Sequence, residues 1–75
     1  MSMLEEHTRT SVGKVIEITA ESGVSFEDAI QRGIEKASDS IHGMRSAWVA
    51  GQQVRIEDGK VVSYRVDLKL TFVLD

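Results

Sequence analysis

Residues 64–74 read Tyr-Arg-Val-Asp-Leu-Lys-Leu-Thr-Phe-Val-Leu, and this segment carries the clearest secondary-structure pattern in the chain. Apolar and polar side chains alternate along it, which is typical of a β-strand with one buried and one solvated face. The predicted buried face carries Tyr64, Val66, Leu68, Leu70, Phe72 and Leu74. The opposite face carries Arg65, Asp67, Lys69 and Thr71.

A second strand precedes this one and joins it through a tight turn. Val54-Arg55-Ile56 is a β-prone run, and Asp58-Gly59 between two such runs is a strong hairpin signal. Folding about this turn predicts four cross-strand pairs: Glu57 with Lys60, Gln53 with Tyr64, Gln52 with Arg65, and Trp48 with Lys69. Since cross-strand partners share a face, the only tryptophan should lie on the polar face, together with Gln52 and Arg65.

A first strand and one helix come before the hairpin. Lys14–Ala20 is a β-branched run that predicts a strand. Ser25 is a good N-cap for a helix of about sixteen residues, which Gly43 should end after His42. An apolar stripe with spacings of three and four residues runs along this helix. It consists of Phe26, Ile30, Ile34, Ala37 and Ile41.

The predicted order is β-α-β-β, an α+β fold in which one amphipathic helix covers one face of a three-stranded antiparallel sheet. Residues 1–12 are predicted to be a flexible N-terminal tail, and residues 13–75 a single domain. The chain has 75 residues and no cysteine, so a small core must hold without disulfides. Nothing remains to cover the Trp48 face, and we therefore predict a homo-oligomer.

Composition argues against several classes of protein. The net charge is −3, and no basic stripe suggests a nucleic-acid partner. No apolar run approaches the roughly 20 residues of a membrane span. The acidic start lacks the order of a signal peptide, and the absence of cysteine fits a reducing compartment. We therefore expect a cytoplasmic protein with neither a nucleic-acid nor a membrane partner.

The sequence offers no catalytic residue. His7 lies in the predicted tail, and His42 lies at a helix end, where it complements the helix dipole. There is no cysteine, no nucleophile-elbow serine and no glycine-rich phosphate loop. Nor does any Cys/His spacing predict a metal site, although Glu17 could join a cluster of carboxylates around a symmetry axis. We therefore expect a protein that is not an enzyme.

Three residues on the polar face are candidates for ligand binding, and each has a structural alternative. Trp48 offers an aromatic face on which a planar ligand can stack, or it packs at a subunit interface. Arg65 offers a fork of donors to a carbonyl or phosphate, or it pairs with Asp67, Glu17 or Gln52. Gln52 can hydrogen-bond a heterocycle, or its amide is solvated. The pattern leaves these alternatives open.

The ordered set of these segments resembles the dodecin family. It comprises Lys14-Val15-Ile16-Glu17-Ile18, Phe26-Glu27-Asp28-Ala29-Ile30, Ala47-Trp48-Val49, Tyr64-Arg65-Val66 and Phe72-Val73-Leu74. The resemblance covers about residues 13–75. It implies a hollow shell of twelve subunits, with the helices outside and the sheets around the interior. It also implies non-enzymatic storage or sequestration of a flavin, FMN or riboflavin, stacked on Trp48.

Two features depart from the flavin-binding members of that family. Arg65 stands where those members have a glutamine that contacts the flavin, and arginine donates hydrogen bonds but accepts none. The hairpin between Trp48 and Tyr64 is also two residues shorter. The alternative is a dodecin-like assembly that does not bind flavin tightly. Trp48 would then pack at an interface or bind another ligand, and coenzyme A and calcium are associated with some dodecins.

Overall fold

The computed structural model describes residues 11–74, which follow the predicted order β-α-β-β. The elements are β1 (Val12–Ser22), α1 (Phe26–Ser38), β2 (Met44–Glu57) and β3 (Lys60–Leu74). The sheet is antiparallel with the order β1-β3-β2, so β3 lies at its centre. This confirms the predicted fold class. Most of the predicted tail lies outside the described residues, and β1 begins at Val12, on its boundary.

The core lies between α1 and one face of β3. Four apolar residues are fully buried there, and three of them alternate along β3: Ala29, Val66, Leu68 and Leu70. The helix comes close to the sheet because Gly33 has no side chain. A Cβ at Gly33 would lie 3.0 Å from Cβ of Ala20 on β1. Phe26 and Tyr64 close one end of the core with an edge-to-face contact whose ring centroids are 5.2 Å apart.

The subunit is long and leaves much apolar surface exposed. Its radius of gyration is 16.7 Å, and its extents are 60 × 23 × 18 Å. A globular chain of this length would have a radius of gyration of about 11 Å. Large apolar side chains are exposed at Val12, Val15, Val24, Trp48, Val54, Ile56, Val61, Val62 and Leu74. Such a surface is typical of a subunit that other chains cover.

The helix begins where the sequence predicts and ends earlier. Ser25 is the N-cap, and its Oγ accepts the Asp28 N–H at 2.9 Å. The predicted length of about sixteen residues is wrong, since α1 ends at Ser38 after thirteen. A polar run, Ser38-Asp39-Ser40, breaks the helix because such side chains favour turns over helix interiors. Gly43 does have a positive φ of 75°, but it lies in the loop before β2 and not at the helix end.

The hairpin turn is confirmed, whereas part of the predicted register is wrong. Asp58 and Gly59 both have positive φ, and Glu57 pairs with Lys60. Val62 is then an extra residue in β3, which shifts the following pairs by one. The structure pairs Gln53 with Arg65, Gln52 with Val66 and Val54 with Tyr64. Gln52 is therefore not the partner of Arg65, and it does not share a face with it.

A second bulge reverses this shift before Trp48. Ala50 is an extra residue in β2, between the pairs Val49–Leu68 and Gly51–Asp67. Because one bulge lies in β3 and the other in β2, the two offsets cancel. Trp48 is opposite Lys69, as predicted, on the sheet face turned away from α1. Only the segment between the two bulges therefore departs from the predicted register.

A small hydrogen-bond network fixes the connection between β1 and α1. Ser22 Oγ donates to Asp28 Oδ2 at 2.6 Å and accepts the Val24 N–H at 2.9 Å. Arg32 Nε donates to the same carboxylate oxygen at 2.9 Å. The hydrogen bond from Ser22, followed by that from Arg32, lowers the pKa of Asp28 below its ordinary value of 3.8. The ionised carboxylate therefore stabilises the folded state.

We predict that Asp28→Asn lowers the melting temperature at neutral pH and not in strong acid. Because the folded-state pKa of Asp28 is lowered, the ionised carboxylate stabilises the folded state, and this stabilisation is complete above the pKa of the unfolded state. It is lost as pH falls through the folded pKa. Melting curves of the parent and the variant, followed by circular dichroism, should therefore converge on acidification. Glu27→Gln, in the same helical turn, is the control. A difference that stays constant at all pH values would contradict the prediction.

Candidate functional site

The sheet face turned away from α1 carries the candidate site, and we call it the open face. Its side chains form rows across β1, β3 and β2. The rows are Glu17–Lys69–Trp48, Thr19–Asp67–Gly51 and Glu21–Arg65–Gln53. The odd-numbered residues of β3 lie in the middle of each row, between one residue of β1 and one of β2. The rows therefore place ionic groups of β1 and β3 together on one side of Trp48.

Trp48 is the most prominent side chain of the open face. It is 65% exposed, which is high for the largest aromatic side chain. Lys69 Nζ lies 4.9 Å from the centroid of its ring, within the range of a cation–π interaction. The same ammonium lies 3.8 Å from Glu17 Oε1. Glu17, Lys69 and Trp48 thus form a connected row across all three strands.

A hollow of ≈ 500 Å³ lies next to this row. Its lining includes Glu17, Thr19, Ala50, Asp67 and Lys69. Gly51 leaves room at the adjoining position, where a Cβ would lie 3.0 Å from Asp67 Oδ2. The bulge at Ala50 and the missing side chain at Gly51 therefore shape the surface beside the tryptophan. A planar aromatic ligand would need an exposed ring and an open space next to it, and the open face offers both.

Arg65 lies beside Asp67, which agrees with the interpretation that Arg65 pairs with this carboxylate. Arg65 Nε and Asp67 Oδ1 are 3.5 Å apart, and both atoms are buried without a hydrogen-bond partner among the described residues. The Arg65 side chain as a whole is 42% exposed, so part of its guanidinium still faces solvent. Arg65 can therefore donate hydrogen bonds to a ligand while Asp67 partly balances its charge.

Two of the three predicted site residues, Trp48 and Arg65, lie on the open face, and Gln52 does not. Trp48 and Arg65 lie in the first and third rows, whereas Gln52 is opposite the buried Val66. Gln53 takes the place predicted for Gln52. The sequence carries a signal for this difference, because an isolated glycine inside a strand, here Gly51, suggests a bulge.

The remaining predictions concern catalysis, metals and membranes. His42 is exposed in the loop between α1 and β2, and His7 lies outside the described residues. Within residues 11–74, no three His, Asp or Glu side chains come together in a way that could hold a metal ion. The one helix in that range lacks the length and apolar character needed to cross a bilayer.

Comparison with known proteins gives consistent matches. The family model for dodecin matches residues 12–75. Calcium dodecin of Mycobacterium tuberculosis is 34% identical over 62 residues, which are 83% of this chain and 87% of the relative. The structure of dodecin from Streptomyces coelicolor superposes with a TM-score of 0.82. That protein is 28% identical, and the match covers 87% of this chain and 93% of that one.

A crystal structure of the Mycobacterium tuberculosis calcium dodecin, described as a calcium-chelating antigen, also matches. Its TM-score is 0.74 at 35% identity, over 87% of this chain and 93% of that one. The strand order, the single helix and the matched range all agree with the resemblance seen in the sequence. The chain belongs to the dodecin family.

Proposed function

We propose that this protein is a non-enzymatic, cytoplasmic flavin-binding protein that assembles into a hollow homo-dodecamer and stacks FMN or riboflavin on Trp48. The observation that carries the proposal is the exposed tryptophan on the open face, next to a hollow. An indole face stacks favourably on another planar aromatic system, and isoalloxazine is one. Binding of this kind stores or shields the flavin and needs no catalytic group.

Assembly follows from what a single subunit leaves uncovered. One helix covers one face of the sheet, and among residues 11–74 only four apolar residues are fully buried. A chain of 75 residues without disulfides seldom holds such an extended shape alone. Copies of the same chain would cover the exposed apolar side chains of the hairpin and the sheet edges. Closed symmetric assemblies are the usual solution among soluble homo-oligomers.

We predict that the purified protein elutes as a dodecamer. Multi-angle light scattering should give a mass of about 100 kDa, twelve times the 8.3 kDa of the chain. The measurement should be made at micromolar concentration with and without FMN, since a ligand that binds only the assembly stabilises it. A mass near that of one chain under both conditions would contradict the proposal.

We predict that Trp48→Ala weakens flavin binding by at least ~1–3 kcal/mol, the range found for a base stacked on an aromatic side chain. The titration should follow the emission of the flavin, since the variant has no tryptophan. Trp48→Phe keeps an aromatic ring and should lose less. Light scattering on each variant separates loss of stacking from loss of assembly. Equal flavin affinity in the parent and an assembled Trp48→Ala variant would remove Trp48 from the site.

Arg65 should set which flavin binds best. The pyrimidine edge of a flavin presents carbonyl groups and one N–H, and a glutamine can complement both kinds of group. Arginine donates to the carbonyls but cannot accept from the N–H. Its charge also attracts anions, although Asp67 lies 3.5 Å away. We therefore infer weaker binding of neutral riboflavin than in glutamine-bearing dodecins, and a relative preference for FMN.

We predict that Arg65→Gln strengthens riboflavin binding and narrows the difference between FMN and riboflavin. Dissociation constants for both ligands should be measured at low and high salt, because an attraction between charges weakens as salt rises. Arg45→Gln is the matched control, since Arg45 lies at the start of β2, outside the three rows of the open face. If Arg65→Gln leaves riboflavin affinity unchanged, the role of Arg65 is structural.

Calcium binding is the second candidate function, because the curated relative is named calcium dodecin. Glu17 is the residue of interest here, since its side chain is 74% exposed on the open face. No metal-holding cluster forms within residues 11–74 of one subunit, so an ion would need oxygen ligands from several subunits. Calorimetric titration with Ca²⁺ in the absence of flavin separates this function from the first.

A further inference from the structure

Lys69 lies next to the proposed stacking residue, and the proposed function does not yet use it. Its Nζ is 4.9 Å from the centroid of the Trp48 ring, and the two residues are direct cross-strand partners. Glu17, on the other side of Lys69, is 3.8 Å from the same ammonium. The ammonium is therefore held between a carboxylate on β1 and an aromatic ring on β2.

An indole ring has two faces, and the ammonium occupies only one of them. Because Trp48 is 65% exposed, the second face must be largely open. β2 is an edge strand of the sheet, so within residues 11–74 it pairs with β3 alone. Along the same face of β2, the next paired position after Trp48 is Gly51, which has no side chain. The contact to the indole that the described residues show is the Lys69 ammonium.

We propose that Lys69 is a positioning residue for the stacking site: it supports one face of Trp48 and thereby presents the other face to the planar ligand. This inference rests on the proposed function. It assigns to Lys69 an effect on binding that passes through the indole and not through direct contact with the ligand. The effect should consequently be the same for a neutral and an anionic flavin.

Two alternative geometries predict different results for the removal of the Lys69 charge. If the ligand stacked on the indole face that the ammonium covers, binding would have to displace the Lys69 side chain from the ring. Replacing Lys69 would then strengthen ligand binding. If the ammonium instead reached a ligand phosphate, its removal would weaken FMN binding and spare riboflavin. The three arrangements therefore differ in sign or in ligand dependence.

The test is the Lys69→Met variant, which keeps a long side chain and removes the charge. We expect dissociation constants for riboflavin and for FMN to rise by the same factor, about two- to fivefold, as for loss of a partly exposed cation–π contact. Lys69→Arg keeps a cation that can lie over the ring and should restore both affinities. Lys36→Met, on α1, removes the same charge from the other side of the sheet and should have no effect.

A second measurement needs no ligand. The near-ultraviolet circular dichroism of Trp48 reports how firmly its ring is held, and the chain has no other tryptophan. Lys69→Met should weaken this tryptophan signal, whereas Lys69→Arg should preserve it.

The proposal for Lys69 would be overturned by an unchanged tryptophan signal in the Lys69→Met variant. It would also be overturned if that variant bound flavin equally well or more tightly, or if it lost affinity for FMN alone. If the parent protein binds no flavin, the proposed function fails. The ring signal then still decides whether Lys69 positions Trp48.

Discussion

A single helix can cover only one face of a sheet, and the rest of this structure depends on that limit. β3 is the central strand, so its alternate side chains divide between the core under α1 and the open face. Val66, Leu68 and Leu70 are fully buried, while Arg65, Asp67 and Lys69 lie between them on the other side. The same alternation that builds the core therefore builds the candidate site. It also leaves much apolar surface exposed on the subunit as described.

The face of Trp48 could be predicted from the sequence, while that of Gln52 could not. Counting back from the Asp58-Gly59 turn assumes that each residue of β2 has one partner on β3. Three register shifts break this assumption, and two of them, at Val62 and Ala50, lie between the turn and Trp48. Because these two lie in different strands, the error is confined there to the segment between them. Gln52 lies inside that segment and Trp48 beyond it. Gly51 hints at one bulge, but no comparable signal marks the other at Val62.

The helix, too, has features that the sequence predicts and features that it does not. Its start could be predicted because Ser25 caps it locally, through a hydrogen bond to Asp28 three residues later. Its end could not, because the apolar spacing continues to Ile41 although the helix stops at Ser38. The hydrogen bonds of Ser22 and Arg32 to the Asp28 carboxylate also lay beyond prediction, since they require β1 and α1 to be correctly placed. Signals within one element can be predicted from the sequence, whereas contacts between two elements can be predicted only once their arrangement in the fold is known.

The charges of the open face are arranged in pairs and do not form a patch of one sign. Arg65 and Lys69 flank Asp67 along β3, and each also faces a glutamate on β1. Paired charges act over short distances, because the fields of neighbours largely cancel. A ligand at this face would therefore meet hydrogen-bond donors and acceptors as well as charge. Gln53 lies directly across from Arg65 and offers the acceptor that arginine lacks. The register between the bulges at Val62 and Ala50 thus places an amide beside the Arg65 guanidinium at one end of the candidate site.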